Sequence, residues 1–265
     1  MASIAPQTAT GFWLGVLGAG RLGETIARTW LVRTGQMPLV WSRSGSRSRV
    51  AEAEWAADWT TLLQARSILI AIPGKALLEL VENNQTAGRF TGNVFCAAAS
   101  LSHSSLQRAF PEATVFCVAP FLIDGVNSIP MLVLRSADVS PAKWIEAKAE
   151  LELFGEVDVV NDEEIFSQLG LLGASWPSVV LAALQKAVVA GLHGIEDETT
   201  NRIGNRIFFR AMHSLLATHS EQDCANEIAT PGGITERGLQ SLGEVTIMFE
   251  TVFKLMRARA AELRA

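Results

Sequence analysis

The chain has 265 residues, of which 49% are apolar and 18% charged, and its formal net charge at neutral pH is −5. This length and composition are those of a globular protein that can bury a core without disulfides or metal, and they exclude an intrinsically disordered chain. The net negative charge argues against a nucleic-acid-binding protein, because no domain-scale excess of Lys and Arg is present to neutralise phosphates.

The three cysteines, Cys96, Cys117 and Cys224, are widely spaced and odd in number. They predict reduced thiols in a cytoplasmic protein, and neither a disulfide framework nor a paired zinc site. The first ten residues lack the basic start and apolar run of a signal peptide. The longest later apolar stretch, at 179–192, is interrupted by polar residues and is shorter than the roughly 20 residues that span a bilayer. We therefore expect no membrane partner.

Short apolar runs alternate with helix-like segments between Phe12 and Val160. This alternation is typical of βαβ units that build a mostly parallel sheet, and so of an α/β fold. Several runs are continuously apolar, as expected for strands that helices cover on both faces. The sequence predicts strands within seven runs, at 13–20, 37–42, 67–73, 93–100, 113–120, 130–136 and 156–160.

The pattern changes after Asn161, where strand-like runs give way to long helical stretches. We therefore predict an all-helical second domain at 161–265. Its helix near residues 178–192 is apolar almost all round, which requires burial inside a bundle or against another subunit. We expect a homodimer through this domain, with a higher oligomer left open. The tail from Glu236 to Ala265 has the pattern of one amphipathic helix with an arginine-rich end, which favours a helix C-terminus.

A glycine motif, Gly18-Ala19-Gly20-Arg21-Leu22-Gly23, follows the first predicted strand and opens a helix that runs to about Arg33. In this context the first glycine permits a tight turn, the second lets the backbone approach a pyrophosphate, and the third lets helix and strand pack closely. The helix N-terminus offers N–H groups and a positive dipole end to phosphates. The motif therefore predicts a Rossmann NAD(P)-binding domain at 11–160, with the cofactor at Gly18, Gly20, Arg21, Leu22 and Gly23.

The second predicted strand ends in Trp41-Ser42-Arg43-Ser44 and lacks the acidic residue that NAD-preferring proteins place there for the ribose hydroxyls. The Arg43 guanidinium and the hydroxyls of Ser42 and Ser44 suit a 2′-phosphate, which they would hold through charge-assisted hydrogen bonds. We therefore predict NADP(H) as the cofactor. Two further arginines follow, and we interpret them as exposed residues at the start of a helix.

Ile72 and Pro73 end the third apolar run, and Pro120 ends the fifth. All three are predicted at the carboxyl edge of the sheet, where open α/β folds bind their ligands. We expect backbone contacts with the cofactor there. The alternative is that either proline only marks the entry to a helix.

A second motif, Thr230-Pro231-Gly232-Gly233-Ile234-Thr235, precedes the last helical stretch. A Pro-Gly-Gly turn into a helix exposes backbone N–H groups together with hydroxyls, and this combination suits a small carboxylate. The alternative is a plain turn in which Thr235 caps the helix.

The two motifs together resemble the pyrroline-5-carboxylate reductase family, which has a dinucleotide turn near its N-terminus and a Ser-Pro-Gly-Gly-x-Thr segment before its final helices. The resemblance covers almost the whole chain. It implies a dimeric, NADPH-dependent reductase of a cyclic imine that carries a carboxylate, in proline biosynthesis. It also implies that Thr235 is the catalytic hydroxyl bonded to the substrate, and that Thr230, Gly232 and Gly233 line the carboxylate site.

Three segments depart from the family pattern. The family's Met-Pro-Asn is Ala119-Pro120-Phe121 here, its Ser-Gly-Ser-Gly-Pro is Gly-Ala-Ser-Trp-Pro at 173–177, and its Ala-Val-Lys-Pro is Ala-Ile-Pro-Gly at 71–74. An Asn amide is lost at Phe121, and Trp176 is bulky where the family is small. These changes predict that this chain shares its cofactor with the resembled family more surely than its substrate. A different imine is therefore an alternative substrate.

Two further interpretations compete. An NADP-binding sensor or partner protein without catalysis would keep the same fold, because a fold does not fix a function. A β-hydroxyacid dehydrogenase would need an Asn one turn after the lysine of its interdomain helix, but Ala190 follows Lys186 at that spacing. The chain has no tyrosine, which rules out the Tyr-Lys pair of short-chain dehydrogenases. No two-His or Cys-pair spacing suggests a metal site.

Overall fold

The computed structural model describes residues 13–43, 53–121, 128–191, 198–218 and 242–263. The chain divides into two compact units. One contains the chain up to Ala174 together with residues from Arg259 onward, and the other runs from Ser175 to Ala258. This division lies later in the chain than the boundary expected at Asn161, and the assignment of 11–160 and 161–265 as functional domains stays a prediction.

The first unit is built on one sheet, whose described strands are β1 (Leu14–Leu17), β2 (Leu39–Trp41), β3 (Glu54–Trp55), β4 (Ser67–Ile70), β5 (Asn93–Cys96), β6 (Thr114–Pro120), β7 (Met131–Leu134) and β8 (Val157–Val160). Their order is β3-β2-β1-β4-β5-β6-β7-β8. Neighbouring strands pair in parallel except β6 and β7, which are antiparallel. The seven predicted strands and the mostly parallel sheet are confirmed, and β3 is an additional strand.

The described α-helices are α1 (Arg21–Thr34), α2 (Gly74–Glu82), α3 (His103–Ala109), α4 (Pro141–Leu151), α5 (Glu163–Gly170), α6 (Trp176–Gly191), α7 (Glu198–Thr218) and α8 (Leu242–Glu262). Short 3₁₀ helices lie at Trp59–Gln64 and Gln85–Arg89, and a π-helical turn at Leu171–Ser175 joins α5 to α6. The predicted change to helices after Asn161 is therefore confirmed for the described residues, since the last described strand, β8, ends at Val160.

Helices cover both faces of the sheet, as the continuous apolar strands predict. On one face Ile26 and Trp30 of α1 and Leu151 of α4 are buried against the strands. On the other face Leu77 of α2 and Phe110, next to α3, are buried. Full burial of one such side chain stabilises the fold by about 1.5–3 kcal/mol, so the two apolar layers hold the strand ends in fixed positions.

Side-chain caps begin several helices of the first unit. The carboxylate of Asp162 accepts a hydrogen bond from the Ile165 N–H at 2.8 Å, and the hydroxyl of Ser102 accepts one from Ser105 N–H at 3.1 Å. Ser140 caps α4 in the same way, with a proline at the first helical position. Each such cap contributes about 1 kcal/mol because it satisfies an N–H group that the helix itself leaves without a partner.

None of the described helices combines the length and the apolar content that crossing a membrane requires. Within the same residues, no group of three or more His, Cys, Asp or Glu side chains is arranged to hold a metal ion.

Candidate cofactor site

The residues predicted to bind the cofactor follow strands that run in the same direction. The glycine motif follows β1, Ser42 and Arg43 follow β2, and Ile72 and Pro73 follow β4. These three strands are parallel neighbours, so their carboxyl ends lie at one edge of the sheet. Pro120 ends β6, which pairs in parallel with β5, and so lies at the same edge. The structure thus brings the described members of the predicted set to a single edge.

Gly18 makes the turn at the end of β1. Its φ of 114° lies in a region that residues with a side chain rarely adopt. A Cβ at this position would lie only 2.7 Å from the Ala71 carbonyl oxygen and 2.8 Å from Cγ2 of Ile72. The Gly18 N–H donates to the carbonyl of Trp41 at 2.8 Å, which ties the turn to the end of β2. The turn is therefore fixed by β2 on one side and by the residues after β4 on the other.

The other two glycines of the motif have opposite surroundings. A Cβ on Gly23 would overlap the carbonyl oxygen of Gly18, so α1 packs directly on the turn. A Cβ on Gly20 would meet nothing within 4 Å. Packing thus explains the first and third glycines, whereas the space beside Gly20 is of the kind that lets a backbone approach a ligand.

Helix α1 begins at this open position. Gly20 is its N-cap and supplies no side-chain hydrogen bond to the first turn. The first N–H groups of a helix have no partner within the helix and carry partial positive charge, so this end suits an anion. Glu24, the acidic residue of the first turn, lies 3.6 Å from the Arg28 guanidinium, which offsets its charge.

Arg43 carries positive charge to the same edge. Its side chain is 66% exposed, and its Nη2 lies 3.8 Å from Oε2 of Glu79 on α2. An exposed ion pair of this length contributes at most about 1 kcal/mol, so the guanidinium remains accessible to a stronger anion. Sequence pattern does not single out Glu79, because it is one of two acidic residues on the amphipathic helix α2.

Pro73 is the N-cap of α2, so the interpretation of this proline as a helix-entry residue is supported, and any contact with a ligand stays a prediction. Ile72 packs against the glycine turn through Cγ2, as the Gly18 geometry shows. Gly74 begins α2 tightly against the loop after β5, because a Cβ there would lie 2.6 Å from Cγ of Leu101.

Phe121 follows β6 and packs against the π-helical turn. Its N–H donates to the Pro130 carbonyl at 2.9 Å, and a Cβ on Gly173 would overlap its ring. Gly170 of α5 lies near the end of β6 as well, since its Cβ would be 3.5 Å from Cβ of Ala119. π-Helical turns are frequent at functional sites. An aromatic ring therefore stands at the carboxyl edge, at the position where the resembled family has an amide.

The predicted substrate residues Thr230, Gly232, Gly233 and Thr235 lie outside the described residues, and so does Ser44. Their roles stay predictions.

No protein-family model matches the sequence, and no curated protein matches it. Solved structures do match. The 1-pyrroline-5-carboxylate reductase of Streptococcus pyogenes has a TM-score of 0.74 at 20% identity, over 93% of this chain and 97% of that one. The pyrroline carboxylate reductase of Plasmodium falciparum, with NADP bound, has a TM-score of 0.77 at 12% identity, over 96% and 98% of the two chains. An imine reductase of Streptomyces aurantiacus has a TM-score of 0.57 at 18% identity, over 95% of each chain.

At these identities the likeness shows the fold, which is a Rossmann-type dinucleotide-binding sheet followed by a helical region. More particularly, it is the fold of the pyrroline-5-carboxylate reductases, which superpose over nearly their whole length and with higher TM-scores than the imine reductase. The resemblance stated from the sequence motifs is confirmed at the level of the fold.

Proposed function

We propose that this protein is an NADPH-dependent reductase of C=N bonds, whose substrate is a cyclic imine carrying a carboxylate, of the pyrroline-5-carboxylate type. The observation that carries the proposal is the glycine turn, in which Gly18 and Gly23 are closely packed while Gly20 has space beside it and caps α1 without a side-chain hydrogen bond. The shared fold supports it, because the Plasmodium falciparum protein has NADP bound.

The residues of the turn fit a dinucleotide in a specific way. The open backbone of Gly20 and the first N–H groups of α1, at Arg21 and Leu22, would hold the diphosphate. Arg43, with Ser42 and Ser44, would hold the 2′-phosphate of the adenosine ribose. When bound, NADPH supplies the hydride that reduces the carbon of the C=N bond. The protein supplies binding, orientation and exclusion of water.

A cyclic imine is a base, and its protonated form accepts a hydride more readily. The protein therefore has mainly to align the substrate with the cofactor and to exclude water. Thr230, Gly232 and Gly233 would hold the substrate carboxylate through N–H and hydroxyl groups. The hydroxyl of Thr235 would form a hydrogen bond with the substrate, and we propose it as the catalytic group. These assignments come from the resemblance of the Thr230–Thr235 motif.

Exposed apolar side chains on the described helices support the proposed homodimer. Ile247 and Leu255 of α8 are 65% and 66% exposed and lie eight residues apart, on one face of the helix. Ile207 of α7 is 62% exposed. A helical unit with several large apolar side chains exposed is of the kind that a second subunit covers. Sedimentation of the purified protein, compared with an Ile247→Asp/Leu255→Asp variant, tests this assembly.

The decisive experiment measures NADPH oxidation by the purified protein against a panel of cyclic imines led by pyrroline-5-carboxylate, with NADH in parallel. Turnover of pyrroline-5-carboxylate would support the proposed substrate. NADPH binding without turnover of any imine would contradict the proposed reductase activity and favour a cofactor sensor that has lost catalysis.

A reductase of a different imine is the second candidate, and the ring of Phe121 against Gly173 is the observation that favours it. An apolar ring cannot donate the hydrogen bonds of an amide, so a less polar imine would fit better beside it. Turnover of other imines, with none of pyrroline-5-carboxylate, would select this candidate.

Thr235→Ala tests the proposed catalytic hydroxyl. It should lower turnover about 100-fold while changing NADPH affinity less than about twofold, because in this proposal the hydroxyl would contact the substrate and not the cofactor. Thr235→Ser, which keeps the hydroxyl, is the matched control and should retain most of the activity. Equal losses in turnover and in NADPH affinity would remove Thr235 from the substrate site.

A further inference from the structure

The ion pair between Arg43 and Glu79 spans one strand of the sheet. Arg43 follows β2, and Glu79 is on α2, which follows β4. In the sheet, β1 lies between β2 and β4. The pair, with 3.8 Å between Nη2 of Arg43 and Oε2 of Glu79, therefore links the segments that follow the two strands on either side of β1 and its glycine turn.

An anion that binds the Arg43 guanidinium lies near the Glu79 carboxylate, because the two side chains form an ion pair. The Glu79 side chain is 51% exposed, so the carboxylate is held by no tight packing. A ribose 2′-phosphate carries a charge of about −1.5 to −2 at neutral pH, as phosphate monoesters do, whereas a ribose 2′-hydroxyl is neutral. The carboxylate therefore acts differently on the two nicotinamide dinucleotides, which differ only at this position.

We propose that Glu79 is a specificity-determining residue that weakens the preference for NADPH over NADH. Its carboxylate competes with the 2′-phosphate for the Arg43 guanidinium and repels the phosphate through space. A ribose hydroxyl experiences no such repulsion and can donate a hydrogen bond to a carboxylate. This inference rests on the proposed function, because it assumes that a dinucleotide binds at the glycine turn.

Removal of the Glu79 charge should therefore act on one cofactor. One negative charge next to the guanidinium that holds a phosphate, in largely aqueous surroundings, changes affinity by about three- to tenfold at low ionic strength. Glu79→Gln should tighten NADPH binding by this factor and change NADH binding by less than about twofold. Added salt should shrink the difference, since salt screens exposed charges.

The test is the dissociation constant of NADPH and of NADH, measured by titration calorimetry for the unaltered protein, Glu79→Gln and Glu112→Gln. Glu112 is exposed and lies just before β6, at the opposite edge of the sheet, so its variant makes the same charge change far from Arg43. The expected result is a rise in the NADPH to NADH affinity ratio for Glu79→Gln alone, larger at low salt than at high salt.

An unchanged ratio in Glu79→Gln, with NADPH bound by the unaltered protein, would overturn this inference and leave the proposed function intact. An equal rise in Glu112→Gln would also overturn it, since the effect would then be one of net charge. Failure of the unaltered protein to bind either dinucleotide would overturn the proposed function and this inference together.

Discussion

Polar groups at the two edges of the sheet have opposite surroundings. At the carboxyl edge, Gly20 has open space beside it and α1 begins without a side-chain cap. At the amino edge, Ser67 Oγ donates to Oε2 of Glu150 at 2.7 Å, and Asn93 Nδ2 donates to the same oxygen at 3.1 Å. The carboxyl edge thus has space beside the start of a helix, whereas the amino edge uses side chains from β4, β5 and α4 to hold the fold together.

The amino edge is also closely packed. The guanidinium of Arg66 pairs with the carboxylate of Glu146 and lies 4.3 Å from the centre of the Trp13 ring. A Cβ on Gly92 would overlap the carbonyl oxygen of Arg66. Burial raises the pKa of the Glu150 carboxyl, against the opposing effect of hydrogen bonds from Ser67 and Asn93. Substitutions at this edge should therefore change stability, and those at the carboxyl edge should change ligand binding.

The largest effect is expected from a comparison within the glycine motif. Gly23→Ala places a Cβ on the Gly18 carbonyl oxygen and should lower the free energy of unfolding by about 3 kcal/mol, because backbone must shift. Gly20→Ala meets no neighbour and should change it by less than about 1 kcal/mol, while weakening NADPH binding about tenfold or more. Urea denaturation and NADPH titration measure the two quantities. Similar stability losses in both variants would contradict the assigned roles.

The next prediction sharpens the role of the carboxyl edge. Arg43→Glu should weaken NADPH binding about tenfold or more, since charge-assisted hydrogen bonds to the 2′-phosphate are lost and a repulsive charge is gained. NADH binding and the free energy of unfolding should change little, because Arg43 is exposed. The check is the NADPH to NADH ratio of dissociation constants. If that ratio stays the same, Arg43 does not read the 2′-phosphate.

Ser67→Ala tests the amino edge. The variant removes a donor to the Glu150 carboxylate, which is 4% exposed, and should lower the free energy of unfolding by about 1–3 kcal/mol. NADPH affinity should be unaltered, because Ser67 begins β4 at the edge away from the glycine turn. A variant that lost NADPH affinity at unchanged stability would break the distinction between the edges.

The smallest effect is a pH dependence. Burial raises the pKa of Glu150 in the folded protein above its ordinary 4.5. The contribution of the protonated Glu150 to the free energy of unfolding is therefore fully present below pH 4.5 and is lost as pH rises through the folded-state pKa. Glu150→Gln cannot ionise. The difference in free energy of unfolding between the two proteins should therefore shift in favour of the variant as pH is raised above about 4.5. A difference that is constant with pH would argue against burial as the dominant influence.

Much of this fold was predictable from local pattern. The strands are continuous apolar runs, and the motif at 18–23 contains the glycines that the turn requires, so the strands and the glycine turn after β1 follow from the sequence alone. The two-residue strand β3 was missed because Glu54 and Trp55 stand in a mixed polar segment with no apolar run. Hydrogen bonds to β2 define this strand, and sequence pattern does not encode them.

The contacts that distinguish the two edges were not predictable in the same way. The position of Arg43 after an apolar strand singles it out in the sequence, but its pairing with Glu79 depends on the strand order, and Glu79 looks like an ordinary surface residue of its helix. Glu150 lies on α4 four residues after Glu146, a spacing that resembles a solvated helix face. It is buried only because the start of β4 and the start of β5 present donors to it. Such pairings depend on topology, which local sequence does not specify.

Cys96 and Cys117 are register partners on the adjacent strands β5 and β6, and neither forms a disulfide. Both are buried, and burial raises the pKa of the Cys96 thiol to about 12. Thiol reagents attack the thiolate, so at neutral pH Cys96 is protected from alkylation while the sheet is closed. The rate of Cys96 modification therefore reports how often the middle of the sheet unfolds locally. A dinucleotide that binds only the folded state should slow this modification, and the more so the tighter it binds.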